Sequence, residues 1–201
     1  MRITGGRASG IEFLSPRSMR TRPVLERSRV SLFASLGTLD NLTILDLFAG
    51  SGAFGLESAS RGAAEVVFVE NDPIATKIIS ENMSKIQKAG VSSSFRIIKS
   101  DVARFVRSNS DLSPDLIFID PPYQSLSDFL SSLLNENHFA KIAEHANIVV
   151  KTPEKFDVSV IQNSSFAEFI KYRRFGGTDF CFVKIKHTNI KEQKEKHERK
   201  I

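Results

Sequence analysis

Residues 43–55 read Thr-Ile-Leu-Asp-Leu-Phe-Ala-Gly-Ser-Gly-Ala-Phe-Gly, and this stretch decides the fold. Thr43 to Phe48 is a short apolar run of the kind that forms a buried strand. Gly50, Gly52 and Gly55 follow at G-x-G-x-x-G spacing, and a helical pattern then carries Leu56 and Ala59 to a stop at Gly62. Strand, glycine loop and helix begin a βαβ unit. The loop lets backbone approach a ligand closely, and the helix start offers N–H groups. Alone, the pattern fits a dinucleotide site or a simple tight turn.

The chain downstream repeats the unit. Val66–Val69 reads as a second strand ending in Glu70, and Phe95–Ile98 as a third followed by Asp101. Leu116–Ile119 reads as a fourth, ending in Asp120. Helical stretches near 73–88 and 102–107 separate them. Alternating strands and helices imply an α/β, Rossmann-like, mostly parallel sheet. Ligands bind such sheets at the carboxyl ends of the strands, so Asp46, Glu70, Asp101 and Asp120 are expected to face one crevice. A single strand-end acid is equally suited to capping the next helix, Asp101 above all. Four in register with a glycine loop need more than that.

Asp46 separates the candidate ligands. A diphosphate is repelled by a carboxylate placed four residues before Gly50. S-adenosylmethionine has no phosphate; its sulfonium, ammonium, ribose diol and adenine amine each suit an acid. Glu70 is placed for the ribose hydroxyls, Asp101 for the adenine amine with the Val102 N–H on a ring nitrogen, and Asp46 near the methionine end. Phe48, Gly50, Ser51, Gly52, Asn71 and Asp120 complete the expected cofactor contacts. Asn82 reads as a polar surface position on its helix.

The fourth strand runs into Asp120-Pro121-Pro122-Tyr123. The prolines fix φ and carry no N–H, an ionised Asp120 only accepts, and Tyr123 offers a flat face. Together they form a slot for a planar ring bearing an amine, stacked on Tyr123 with its hydrogens on Asp120 and the Pro121 carbonyl. Such an amine is a poor nucleophile because its lone pair is delocalised. Acceptors fixed on its hydrogens free that lone pair by positioning and preorganised charge. Asp120, Pro121, Pro122 and Tyr123 are therefore the candidate catalytic motif for methylating a base amine. A Pro-Pro turn after a buried strand is the plain alternative.

The 201 residues, 41% hydrophobic and 25% charged, suit one globular α/β domain. No apolar run approaches the roughly 20 residues of a membrane span, and the amino terminus lacks the apolar core of a signal peptide. One cysteine, Cys181, rules out an internal disulfide and suits the cytoplasm. The scattered histidines form no metal-ligand pattern, so no metal is expected. The net charge of +5 is concentrated at the ends: residues 1–30 carry seven arginines against two glutamates. Arginine without lysine suggests bidentate phosphate recognition. Gly5, Gly6 and Gly10 among Ile3, Ile11 and Phe13 read as a hairpin. Arg2, Arg7 and Arg17 would make it an RNA-binding flap, with Arg22 and Arg27 brought toward the crevice by a helix from Pro23 to Leu36. Residues 1–186 are expected as one domain (flap 1–22, body 23–186), and 187–201 as a charged, disordered tail.

With these elements the chain resembles the bacterial 16S rRNA (guanine-N2)-methyltransferases of the RsmD type. The resemblance rests on Arg2-Ile3 with Gly5-Gly6 and Gly10, Arg22-Pro23 and Arg27, Asp46–Gly52, and Gly55-Leu56-Glu57. It continues through Ser60–Ala63, Val69-Glu70, Asp101, Asp120–Tyr123 and Phe175–Thr178. It implies a class I methyltransferase fold with a seven-stranded sheet and an amino-terminal hairpin, S-adenosyl-L-methionine as donor, and a monomer acting on 16S rRNA in the small ribosomal subunit. The departures are Ile11-Glu12-Phe13 where basic residues are usual, Val24-Leu25 after Arg-Pro, and Lys151 after the fifth strand where an acid is common. Adenine-N6 methylation shares the Asp-Pro-Pro-Tyr motif and stays open, as does a non-catalytic RNA-binding role.

Overall fold

The computed structural model describes residues 1–15, 23–121 and 126–186. Seven strands form one sheet in the order β3-β2-β1-β4-β5-β7-β6. They are β1 (Thr43–Leu47), β2 (Glu65–Glu70), β3 (Ser94–Lys99), β4 (Leu116–Ile119), β5 (Asn147–Thr152), β6 (Ala167–Phe175) and β7 (Thr178–Ile185). The first five run parallel; β7 is antiparallel to β5, and β6 to β7. β6 turns into β7 through Gly176 and Gly177, both at positive φ (52° and 86°), as a two-residue hairpin requires.

Strand periodicity builds two cores, because successive side chains point to opposite faces. Ile44, Val66, Phe68, Leu116, Phe118 and Val149 pack on one face with α1 (Pro23–Leu36), α2 (Ala53–Ser60) and α3 (Pro73–Lys88). Leu45, Leu47, Val67, Val69, Ile117, Ile119 and Val150 pack on the other with α4 (Val102–Ser108), α5 (Leu126–Leu134), α6 (Asn137–Ile142) and α7 (Ser159–Gln162). Burial on both faces explains why the central strands read as continuous apolar runs. Asp46, Asp120 and Lys151 continue the parity of Ile44, Phe118 and Val149, so sequence spacing alone puts them on the α1–α3 side. The strand order reverses between β1 and β4, which makes the gap beyond Leu47 and Ile119 the switch point of the sheet.

The amino terminus doubles back as expected, with Ile3 N–H on the Ile11 carbonyl, Phe13 N–H on the Met1 carbonyl and an antiparallel bridge between Arg2 and Glu12. It is not a free flap. Ile3, Ala8 and Phe13 are buried in the α1–α3 core. The Arg7 N–H and the Ser60 hydroxyl fasten the segment to the end of α2.

Candidate active site

The glycine loop is held from below by Asp46. Gly52 occupies the N-cap of α2 at φ 78° and has no side chain to cap with. Asp46 supplies the missing acceptor from β1, its Oδ2 taking the Gly55 N–H at 2.9 Å. Asp46, expected near the methionine end of the cofactor, is 1% exposed and turned under the loop. Burial pushes its carboxyl well above the usual carboxylate range, the Gly55 N–H pulls it back, and the neighbouring Asp120 and Glu70 push it further up. Downstream of the loop, Phe54 stacks on Phe118 of β4 at 4.9 Å and 13°, locking loop to sheet.

Phe48 leaves β1 at φ 60°, a left-handed conformation uncommon for a bulky residue, and meets Phe129 edge-on at 4.9 Å. Gly50 and Gly52 are also left-handed (φ 56° and 78°), and Ser51 is buried between them. Glu70, at the end of β2, closes the loop. Its Oε2 accepts the Gly50 N–H at 2.8 Å, and its Oε1 accepts the Asn71 and Asp72 N–H groups. A carboxylate has about four acceptor sites, and three are already used. For Glu70 to take both hydroxyls of a diol, it must therefore surrender a backbone contact.

Asp101 is the N-cap of α4, with Oδ1 accepting the Ala103 and Arg104 N–H groups. That capping role occupies one oxygen of an exposed carboxylate, and the buried Val102 stands next to it at the first turn. Asp120 continues the β4 ladder, its N–H reaching the Leu47 carbonyl at 3.4 Å. It stands beside Phe48, one step past the Leu47–Ile119 pair. Pro121 is buried; Pro122 and Tyr123 lie outside the described residues. Lys151, which lies within β5 rather than after it, places its Nζ 2.9 Å from both oxygens of Asp120.

The structure thus brings Asp46, Glu70 and Asp120 together around Gly50–Gly52, with Asp101 one strand further out. A cavity of about 430 Å³ between Phe156, Phe169, Tyr172 and Asp179 shares none of these residues. Of the arginines expected to meet RNA, Arg7 and Arg27 are exposed, and Arg2 is exposed but paired with Glu26 at 2.6 Å. Arg17 and Arg22, like the tail from 187 on, lie outside the described residues. No group of three or more metal-capable side chains occurs among the described residues. None of their helices is long and apolar enough to cross a membrane.

Sequence reading missed Asn82. It is fully buried, accepts the Leu14 N–H, and donates to the Leu14 and Ser51 carbonyls. The available signal was its spacing with Ala75, Ile79 and Ile86 on the buried face of α3.

The family described as Conserved hypothetical protein 95 matches residues 1–184. The chain belongs to this family, the RsmD family. One RsmD-family relative, Ribosomal RNA small subunit methyltransferase D of Escherichia coli K12, is 32% identical over 154 residues. The match covers 76% of this chain and 74% of the relative. The solved structure of the Escherichia coli protein yhhF superposes with a TM-score of 0.71 at 27% identity, covering 92% of this chain and 98% of that one. A Geobacter metallireducens precorrin-6y C5,15-methyltransferase shares the fold at 15% identity, with a TM-score of 0.58 over 87% and 94% of the two chains. The fold is that of a class I S-adenosylmethionine-dependent methyltransferase, and the RsmD family's cofactor, S-adenosyl-L-methionine, fits the acids and glycines of this loop.

Proposed function

We propose that this chain methylates the N2 amine of a guanine in 16S rRNA within the small ribosomal subunit, with S-adenosyl-L-methionine as donor. The observation that carries this is Asp120 at the switch point, beside the glycine loop and followed by Pro121. The relatives named Ribosomal RNA small subunit methyltransferase D support the rRNA substrate.

Glu70, Asp101, Val102 and the Gly50–Gly52 backbone would hold the cofactor, and Asp46 and Phe54 fix that loop from beneath. When bound, the cofactor supplies an electrophilic methyl on a sulfonium. The protein's part is to present the nucleophile. Guanine's Watson–Crick edge has adjacent N1–H and N2–H donors, and the two Asp120 oxygens match them; the Pro121 carbonyl takes the second N2 hydrogen. The amine then becomes tetrahedral and its lone pair is freed for in-line attack. Its proton turns acidic only as the new N–C bond forms and would pass to an Asp120 oxygen, so Asp120 need not be a strong base; the electron pair of the broken S–C bond would stay on the sulfur. Tyr123 provides the stacking face, after the base has been unstacked from the RNA at a cost of a few kcal/mol.

The test is methyl transfer to undermodified small subunits followed by nucleoside mass spectrometry. N2-methylguanosine that disappears with Asp120→Ala, while cofactor affinity stays near wild type, is the expected result. N6-methyladenosine would overturn the base assignment, and lost cofactor affinity would overturn the role given to Asp120.

A further inference from the structure

Lys151 stands where the guanine edge has to go. Its ammonium is 2.9 Å from Oδ1 and 2.9 Å from Oδ2 of Asp120. It therefore engages both acceptors that N1–H and N2–H of a guanine would engage. The pair is only partly exposed, 16% for the lysine side chain and 27% for the aspartate. Lys151 points to this spot because it shares strand parity with Val149, and because β5 lies beside β4 with Val150 opposite Ile119. Asp120 lies close enough to the buried Asp46 to push its carboxyl upward, as Glu70 does. A family departure in the sequence has become a charged contact at the reacting centre.

We propose that Lys151 is a base-recognition residue that donates to O6 of the target guanine while Asp120 receives N1–H and N2–H. The proposal rests on the guanine reading and deepens it. O6 lies next to N1 on the same edge. An ammonium displaced from Asp120 by the entering base thus has an acceptor one step along, while staying beside the nearer carboxylate oxygen. The flexible four-carbon stem of lysine permits that step, and its compact charge with three donors suits a single carbonyl oxygen. Guanine satisfies all three groups: two carboxylate oxygens and one ammonium. Adenine offers the pair one N6 hydrogen and the N1 acceptor. It would occupy Lys151 but leave one Asp120 oxygen without a donor, and an unpaired polar group in a confined site is the strongest basis for rejection.

The experiment uses the full chain and undermodified small subunits. Steady-state kinetics are measured for wild type, Lys151→Met, Lys151→Gln and Lys151→Arg, with cofactor affinity by calorimetry and products by nucleoside mass spectrometry. Lys151→Met is expected to lower kcat/KM for subunits by about 10- to 100-fold, mostly through KM, which is the loss of one charge-assisted hydrogen bond. Cofactor affinity should stay at the wild-type value. Lys151→Arg and Lys151→Gln, which keep an N–H donor, should recover part of the loss, and either one carries the test if Lys151→Met does not fold. Unchanged or raised kcat/KM in Lys151→Met would sink the proposal, because the ammonium would then be a bystander or a mere obstacle. So would a loss of cofactor affinity parallel to the loss of activity. If wild type itself yields N6-methyladenosine, the guanine reading has failed. If wild type yields N2-methylguanosine and the variants match it, only the role of Lys151 has failed.

Discussion

The guanidinium of Arg29 in α1 meets the carboxylate of Glu57 in α2, Nε to Oε2 at 3.3 Å, with 4% and 0% of the side chains exposed. Glu57 also accepts from Arg61 Nε at 2.8 Å and from the backbone N–H and hydroxyl of Thr4. Arg29 in turn donates to the Arg2 carbonyl. Burial lowers the Arg29 pKa against the raising effect of Glu57, so the charge is held there by its partner. One carboxylate thus ties the amino-terminal segment, the first helix and the loop helix together. Replacing Glu57 with Ala leaves a buried arginine unpaired and should cost about 3–5 kcal/mol. Arg29→Met should cost less, because Arg61 and Thr4 still satisfy Glu57. Urea unfolding measures both; a Glu57→Ala loss below about 1 kcal/mol, the range of an exposed pair, would contradict the reading.

Gly55 allows the loop helix to lie against β2. A Cβ built there would stand 2.3 Å from Phe68 Cε1 and 2.7 Å from Val66 Cγ1, and both side chains are core residues with nowhere to go. Gly55→Ala should therefore destabilise by about 1–3 kcal/mol, as overpacking does, despite alanine's better helix propensity. It should also weaken cofactor binding, since the Gly55 N–H is the one that Asp46 holds. Thermal unfolding and calorimetry of the variant check the two effects. A variant as stable as wild type would mean the helix shifts freely off the sheet.

Strands β1, β2 and β4 were legible because each is a largely apolar, buried run. The expected β4 matches the structure residue for residue, as do α1 and α3, whose ends are marked by Pro23 and by Pro73 after the Asp72 cap. The glycine loop was legible from its spacing, and so was its company of acids. What the acids do there was not. Asp46 and Asp101 face helix N-termini, Glu70 is wrapped by its own turn, and Arg2 is spent on Glu26. Each answers a local backbone N–H or a nearby countercharge that no linear pattern displays. Asn82 reads as a surface position because polar residues usually are, and no linear pattern gives Glu57 a buried role. Their partners come from segments 68 and 53 residues away, a distance over which sequence periodicity carries no information. Lys151 stood out as an unusual residue, but only the β4–β5 register shows that it meets Asp120.

Asn82 joins the amino-terminal segment to the cofactor loop. Its Oδ1 takes the Leu14 N–H at 2.7 Å, and its Nδ2 reaches the Leu14 and Ser51 carbonyls at 3.0 and 3.1 Å. Every polar atom of the side chain is used, and the residue is fully buried. Asn82→Ala strands three backbone groups and should cost about 1–3 kcal/mol. It should also weaken cofactor binding, since Ser51 lies in the loop itself, and it should raise amide exchange at Leu14. Retained cofactor affinity with rapid exchange at Leu14 would restrict Asn82 to anchoring the amino terminus.

Asp46 gives the protein a pH dependence with a definite sign. Its folded carboxyl titrates well above the ordinary range, chiefly because it is buried, with Asp120 and Glu70 adding repulsion. In the unfolded chain it titrates near about 3.9. Below that value the group is protonated in both states and its contribution is fully present. As the pH rises from there through the folded value, the unfolded state ionises first, and that contribution is lost. Asp46→Asn keeps an oxygen for the Gly55 N–H and cannot ionise. Its stability relative to wild type should therefore improve steadily as the pH rises from about 4 toward the folded value. Asp46→Leu, which has no acceptor for that N–H, should be destabilised throughout. Melting temperatures of the three proteins over this pH range decide the matter: a difference between Asp46→Asn and wild type that does not change with pH would show that Asp46 ionises as readily folded as unfolded.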